Sequence, residues 1–241
     1  MPQTVLITAF GPFPGAPFNP TAALAKSLAN RRRPALGAIR RVAHVFPTSY
    51  AAVERELPAL IAKHRPDIVL MFGLATRTPH LRIEARARNR RSTLFADVEG
   101  THPLIAIRAG GPAALRTRSP QMPLLLAARA ARVAAALSVD AGKYLCNFAY
   151  WRALEASNDR GAWVQFVHVP KIARTSSALR GKRGKRRLGQ VDLLRAGDAI
   201  LRSLLTAARK IPREPERMVT AVRSSSDSAA ARAERRVAAI G

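Results

Sequence analysis

Three residues of this chain have side chains and settings suited to covalent chemistry: a lone cysteine, a histidine closing an apolar run, and a glutamate set among arginines. Cys146 is the single cysteine in 241 residues. It stands in Tyr144-Leu145-Cys146-Asn147-Phe148, shortly after the turn signal Asp140-Ala141-Gly142. A thiol attacks as its thiolate, so it needs a histidine to take the proton and gains from a helix N-terminus, whose unpaired amides stabilise negative charge. Phe148, Trp151 and Leu154 recur at helical spacing, which predicts a helix over about 146–156 with Cys146 in its first turn. The same amides would then face the oxyanion of an acyl-transfer intermediate. His168 lies at the end of Trp163-Val164-Gln165-Phe166-Val167-His168-Val169, where α/β proteins place working side chains. Glu84 is a candidate to orient the imidazole. Each residue also has a plainer reading: a packed thiol, a satisfied core histidine, and a surface ion pair of Glu84 with Arg82 or Arg86. Composition and spacing leave both readings open.

The elements that would hold this trio alternate along the chain. Residues 4–10 (TVLITAF) read as a buried strand, and Asn19-Pro20-Thr21 opens a helix through Leu28. A strand over 39–46, a helix over 50–64 and a strand over 67–72 complete the βαβαβ rhythm of a doubly wound sheet. Leu81, Ile83, Ala85 and Ala87 alternate with Arg82, Glu84, Arg86 and Arg88, which predicts one strand with Glu84 on its polar face. Further helices are expected over 120–135 and 191–208, with a strand over 163–169. The fold class expected is α/β, with helices covering a central, mostly parallel twisted sheet.

Several chemistries lack their motifs: there is no GxSxG elbow, Walker loop, GxGxxG, HExxH or paired-cysteine metal site, and the five histidines are scattered. A single cysteine excludes a fold stapled by internal disulfides. The opening Met1-Pro2-Gln3-Thr4 runs into a short apolar stretch with no basic lead, so no signal peptide or membrane span is expected and the cytoplasm is the expected location. The 41 lysines and arginines against 15 acids give a net charge of +26, a balance that raises nucleic acid or an anionic surface as a partner. The arginines are spread along the chain, as GC-rich coding produces whatever the function, and no aromatic-basic array accompanies them. Nucleic acid is therefore not the expected partner. The acid-free stretch RTSSALRGKRGKRR reads as a flexible basic loop over about 174–188. A domain over 1–212 and a polar tail over 213–241, disordered or loosely helical, are expected.

Several blocks, taken together and in order, are more specific than any one of them. ITAFGPFPGAPFNPT near the N-terminus, PTSY at 47–50, IEARARN at 83–89, Glu99-Gly100, SVDAGKYLCN and VHVP resemble the pyroglutamyl peptidase I family, the pyrrolidone-carboxylate peptidases or cysteine peptidases of family C15. The resemblance covers about residues 5–208 and implies a three-layer α/β/α sandwich. It also implies a Glu84, Cys146, His168 triad that removes an N-terminal pyroglutamyl residue from peptides without metal or cofactor. By the same resemblance, Phe10, Phe13, Thr48, Tyr144 and Leu145 form the slot for the lactam ring, and the chain assembles as a homo-oligomer, a dimer or tetramer.

The departures fall around the slot. Gly73-Leu74-Ala75 stands where the family has Gly-Gln-Ala, Thr76-Arg77-Thr78 where it commonly has Gly-Gly-Arg, and Leu94-Phe95 where it has an arginine and an isoleucine. Two further classes follow: the family fold with activity lost or redirected to another N-acyl or amide substrate, and a basic protein that binds nucleic acid or anionic surfaces.

Overall fold

Thr4–Phe10, the first strand, is buried at every position, as is Trp163–Pro170. Continuous burial marks strands covered on both faces, the setting of a parallel sheet between helical layers. The computed structural model describes residues 3–13, 15–93, 96–101, 105–174 and 187–210. Most of the expected basic loop, the tail, and Leu94 and Phe95 lie outside the described residues. In chain order the elements are β1 (Thr4–Phe10), α1 (Pro20–Asn30), β2 (Arg40–Phe46), α2 (Tyr50–His64), β3 (Ile68–Ala75), β4 (Leu81–Glu84), β5 (Arg86–Arg88), β6 (Ala114–Arg116), α3 (Gln121–Ala130), β7 (Ala135–Ser138), α4 (Leu145–Ser157), β8 (Trp163–Pro170) and α5 (Gln190–Lys210).

The main sheet has the order β2-β1-β3-β8-β4-β7. All neighbouring strands run parallel except β4 and β8, which are antiparallel. The fold is α/β with a mostly parallel sheet between two helical layers, as the sequence predicts. Alternation along the strands divides the core. Val5, Ile7, Leu70, Phe72, Ile83 and Val167 face α1, α3 and α5. Leu6, Val69, Met71, Val164 and Phe166 face α2 and α4. Local chemistry sets the helix starts: Asn19 accepts from the Thr21 amide at 3.1 Å at α1, and Ser49 accepts from the Ala52 amide at 3.1 Å at α2.

Three expectations need correcting. The alternation over 81–88 is two strands: after Ala85, whose amide donates to Ser138 O and whose carbonyl accepts from the Thr117 amide, β5 pairs with β6 in a separate two-stranded sheet. The helix expected over 120–135 stops at Ala130, and Ala135–Ser138 becomes the sheet edge β7. Glu84 does not sit on a solvated polar face; it is completely buried, because the face opposite Ile83 lies beneath α4.

Candidate active site

The site lies on the α4 side of the sheet where β3, β8 and β4 run side by side. His168 pairs in register with Gly73 on β3 and with Arg82 on β4, and Phe166 pairs with Glu84. Partners in register share a face, with strands about 4.8 Å apart, so Gly73, His168, Arg82 and Glu84 present one surface to α4. His168 Nδ1 and Glu84 Oε1 are 2.8 Å apart in a buried hydrogen bond. With Nδ1–H donated to the carboxylate, Nε2 carries the free lone pair of the neutral ring. The Phe166 ring, 4.9 Å from the imidazole between centroids, walls one side.

Cys146 is the second residue of α4, as its place after a turn and before a helix-spaced run predicts. The turn is made by Asp140, whose Oδ1 accepts from the Gly142 amide at 3.0 Å, and by Gly142 itself, at φ 87°. A Cβ built on Gly73 would lie 2.7 Å from Cys146 Sγ. The sulfur therefore rests over Gly73, the strand neighbour of His168, and is flanked by the helix amides that lack intrahelical acceptors. The residue keeps partial access to solvent. Burial pushes the thiol from 9.0 up to about 12, the Glu84 carboxylate pushes in the same direction, and Arg82 and a backbone N–H oppose both. A thiol so placed is neutral at rest and surrenders its proton only as a base takes it.

The remaining expected residues divide. Leu145 and Phe10 are buried in the α2/α4 core, and Tyr144 packs against it, donating its hydroxyl to Ala96 O at 2.9 Å. Thr48 is buried at the start of α2, its carbonyl accepting from the Val98 amide at 3.1 Å. Phe13 forms a bridge with Ala16 and packs against the opposite core, with α1, α3 and α5, while the carbonyl of the preceding Pro12 accepts from Thr48 Oγ1 at 3.5 Å. Leu74, next to Gly73, points into that opposite core.

Four further residues support this arrangement, of which the sequence reading offered only Arg82, as an ion-pair partner of Glu84. Arg82 forms an ion pair with Glu84 Oε1 at 2.9 Å. Tyr150, one turn along α4 from Cys146, donates to the Glu84 carbonyl at 2.9 Å. Asn147 donates to the carbonyls of Arg88 and Arg90 and accepts from the Arg88 amide. Asp97 accepts from the amides of Tyr50, Glu99 and Thr101, tying residues 96–101 to α2. Of these, the Asx-turn signature of Asp97 before Glu99-Gly100 was open to sequence reading. Among the described residues no three His, Cys, Asp or Glu side chains gather as a metal site, and no helix is long and apolar enough to cross a membrane.

Comparison with known proteins gives the family and the fold. The family model described as Pyroglutamyl peptidase matches residues 3–185. A pyrrolidone-carboxylate peptidase of Thermococcus kodakarensis is 34% identical over 169 residues, 69% of this chain and 80% of its own length. Pyrrolidone-carboxylate peptidase 1 of Ralstonia nicotianae is 32% identical over 172 residues, 70% of this chain and 79% of its own. Among solved structures, the pyrrolidone carboxyl peptidase from Thermococcus litoralis superposes with a TM-score of 0.76 at 25% identity, covering 88% of this chain and 98% of that one. A sheet of this order, a cysteine at the start of α4 over Gly73, a buried His168–Glu84 pair and a match over residues 3–185 lead to one assignment: the chain belongs to the pyroglutamyl peptidase family of cysteine peptidases.

Proposed function

We propose that Cys146, His168 and Glu84 carry out in this chain the reaction its family membership implies, removal of an N-terminal pyroglutamyl residue from a peptide. The observation that carries this reading is the buried 2.8 Å pair of His168 and Glu84, one strand from the glycine on which Cys146 Sγ rests. His168 Nε2 takes the thiol proton as Sγ attacks the carbonyl carbon between the lactam ring and the next residue. The oxyanion forms beside the first amides of α4. His168 then gives its proton to the leaving amine as the C–N bond breaks, and a thioester remains. Water, deprotonated by the same nitrogen, cleaves the thioester, releases pyroglutamate and restores the thiol. Glu84 holds the ring in one orientation and balances the imidazolium in both halves. Phe10, Phe13, Thr48, Tyr144 and Leu145 supply an apolar slot for the flat lactam.

The reading extends to the cytoplasm, where a reducing setting keeps the single thiol free, and to a homo-oligomer of two or four copies. A pyroglutamyl aminocoumarin amide tests the activity directly. Wild type is expected to release the fluorophore and Cys146→Ala to fall to background with an unchanged far-ultraviolet spectrum. Turnover by the alanine variant equal to wild type would sink the mechanism. Alkylation of Cys146 without any turnover would favour the fold with redirected activity instead.

A further inference from the structure

The triad reading uses one oxygen of Glu84, and that oxygen is shared. Glu84 Oε1 accepts from His168 Nδ1 at 2.8 Å and forms an ion pair with a terminal nitrogen of Arg82 at 2.9 Å, while Oε2 is buried without a hydrogen-bond partner. Resting on the triad assignment, we propose that Arg82 is a positioning residue that pins the Glu84 carboxylate against His168 and offsets part of the negative charge this carboxylate directs at the Cys146 thiol.

Anchoring is the first support. The Arg82 terminal nitrogen that reaches Glu84 also donates to Ser138 Oγ at 2.9 Å and to the Asp140 carbonyl, and Nε reaches Ser138 Oγ at 3.3 Å. One guanidinium thus joins β4, the end of β7 and the turn that delivers Cys146 to α4. Strand register places it there, since Arg82 lies opposite His168 on one side and Ala136 on the other.

Electrostatics is the second. A carboxylate with no solvent exposure opposes the formation of a thiolate nearby, and a cation fixed on that carboxylate removes much of the opposition. Arg82 is well suited to this because its side chain is mostly covered while its charge is permanent. The other charged or titratable groups around the cluster do not substitute for it. From α4, Tyr150 is kept neutral by burial and spends its hydroxyl on the Glu84 carbonyl. Asp140, in the turn, pairs with Arg88 of β5 at 3.2 Å, and Arg86 of β5 donates to the Val139 carbonyl. From β3 comes only Gly73, and from β8, besides His168, the neutral Phe166 and Gln165.

Because Cys146 is the sole thiol, its alkylation by iodoacetamide can be followed by intact mass on the full chain, independently of turnover. Rates are measured from about pH 7 to about pH 10, below the raised pKa of the partly accessible thiol, where each unit of pKa shift changes the thiolate fraction about tenfold. Arg82→Gln is expected to slow alkylation about tenfold at every pH, and Arg82→Lys, which keeps the charge, to stay within about threefold of wild type. Alkylation of folded Arg82→Gln at the wild-type rate, or equal slowing of both variants, overturns the proposal. If Arg82→Gln fails to fold by circular dichroism, Arg82→Lys decides alone, and a tenfold loss in it is equally fatal. Absence of pyroglutamyl turnover in wild type would count against the function proposed above and leave the alkylation comparison standing; normal turnover with indifferent alkylation would remove the role of Arg82 alone.

Discussion

At position 73 a single methyl group would meet Cys146 Sγ and the Phe166 ring, each at 2.7 Å, so the sulfur's resting place depends on the absence of a side chain. Gly73→Ala must displace the sulfur, the ring or the helix start. Overpacking of this kind costs about 1–3 kcal/mol, and a misplacement of about 1 Å in a catalytic group costs about a hundredfold in rate. Gly73→Ala is thus expected to lose about a hundredfold in kcat along with about 1–3 kcal/mol of stability, and kinetics and urea melts on the same preparation will read the two separately; an unchanged kcat would contradict the placement of the sulfur over Gly73. The thiol gives a second prediction. Folding raises it from 9.0 to about 12, so the unfolded chain gives up that proton first, and the contribution to stability is full below about pH 9 and is lost as pH rises toward 12. Between about pH 8 and about pH 10.5 the wild-type urea midpoint is expected to fall relative to Cys146→Ser; parallel curves would contradict it. Cys146, His168 and Glu84 were legible as residue types in the sequence. Gly73 was not, because a contact between a β3 glycine and a helix seventy-odd residues later has no local signal.

The α4 helix performs three tasks along one and a half turns. Cys146 sits at its start, Asn147 clamps the β5 backbone, and Tyr150 fixes the carbonyl of Glu84. Its beginning was readable from turn chemistry and aromatic spacing. What the helix touches was not, since Asn147 and Tyr150 look locally like an ordinary polar residue and an ordinary aromatic. Asn147→Ala would leave the Arg88 amide and the Arg90 carbonyl without their Asn147 bonds, while the Arg88 carbonyl keeps the Arg90 amide at 2.7 Å, and an unsatisfied group costs about 1–3 kcal/mol. A loss of about 3 kcal/mol in denaturant unfolding is expected, together with weaker catalysis; a loss below about 0.5 kcal/mol would mean the β5 segment holds without the clamp. Elsewhere elements eluded the sequence for definable reasons. The alternation of β4 runs unbroken into β5, and only the exchange of hydrogen-bond partners at Ala85 separates them. The alanine- and arginine-rich run after 120 reads as continuous helix, yet the chain leaves it with Arg132 at φ 56°, a conformation no residue there advertises.

The whole molecule carries 41 lysines and arginines against only 15 acids, a net charge of +26, and their repulsion acts on the compact state at every pH near neutrality. Raising sodium chloride from about 0.02 M to about 0.5 M shortens the Debye length several-fold and is expected to raise the melting temperature; a flat or falling curve would show that local ion pairs such as Arg152 with Glu54 offset the excess. By itself the sequence determined the α/β rhythm, the burial of β1, the strands β3 and β8, the helix start at Cys146 and the family, because these rest on short-range periodicity and on motif blocks in a fixed order. Only the tertiary structure decided that β4 runs antiparallel to β8, that this brings Glu84 and Arg82 to the same side of His168, and that one carboxylate oxygen serves both. Strand direction and register between residues 84 positions apart are set by packing over the whole sheet, and no local pattern encodes them.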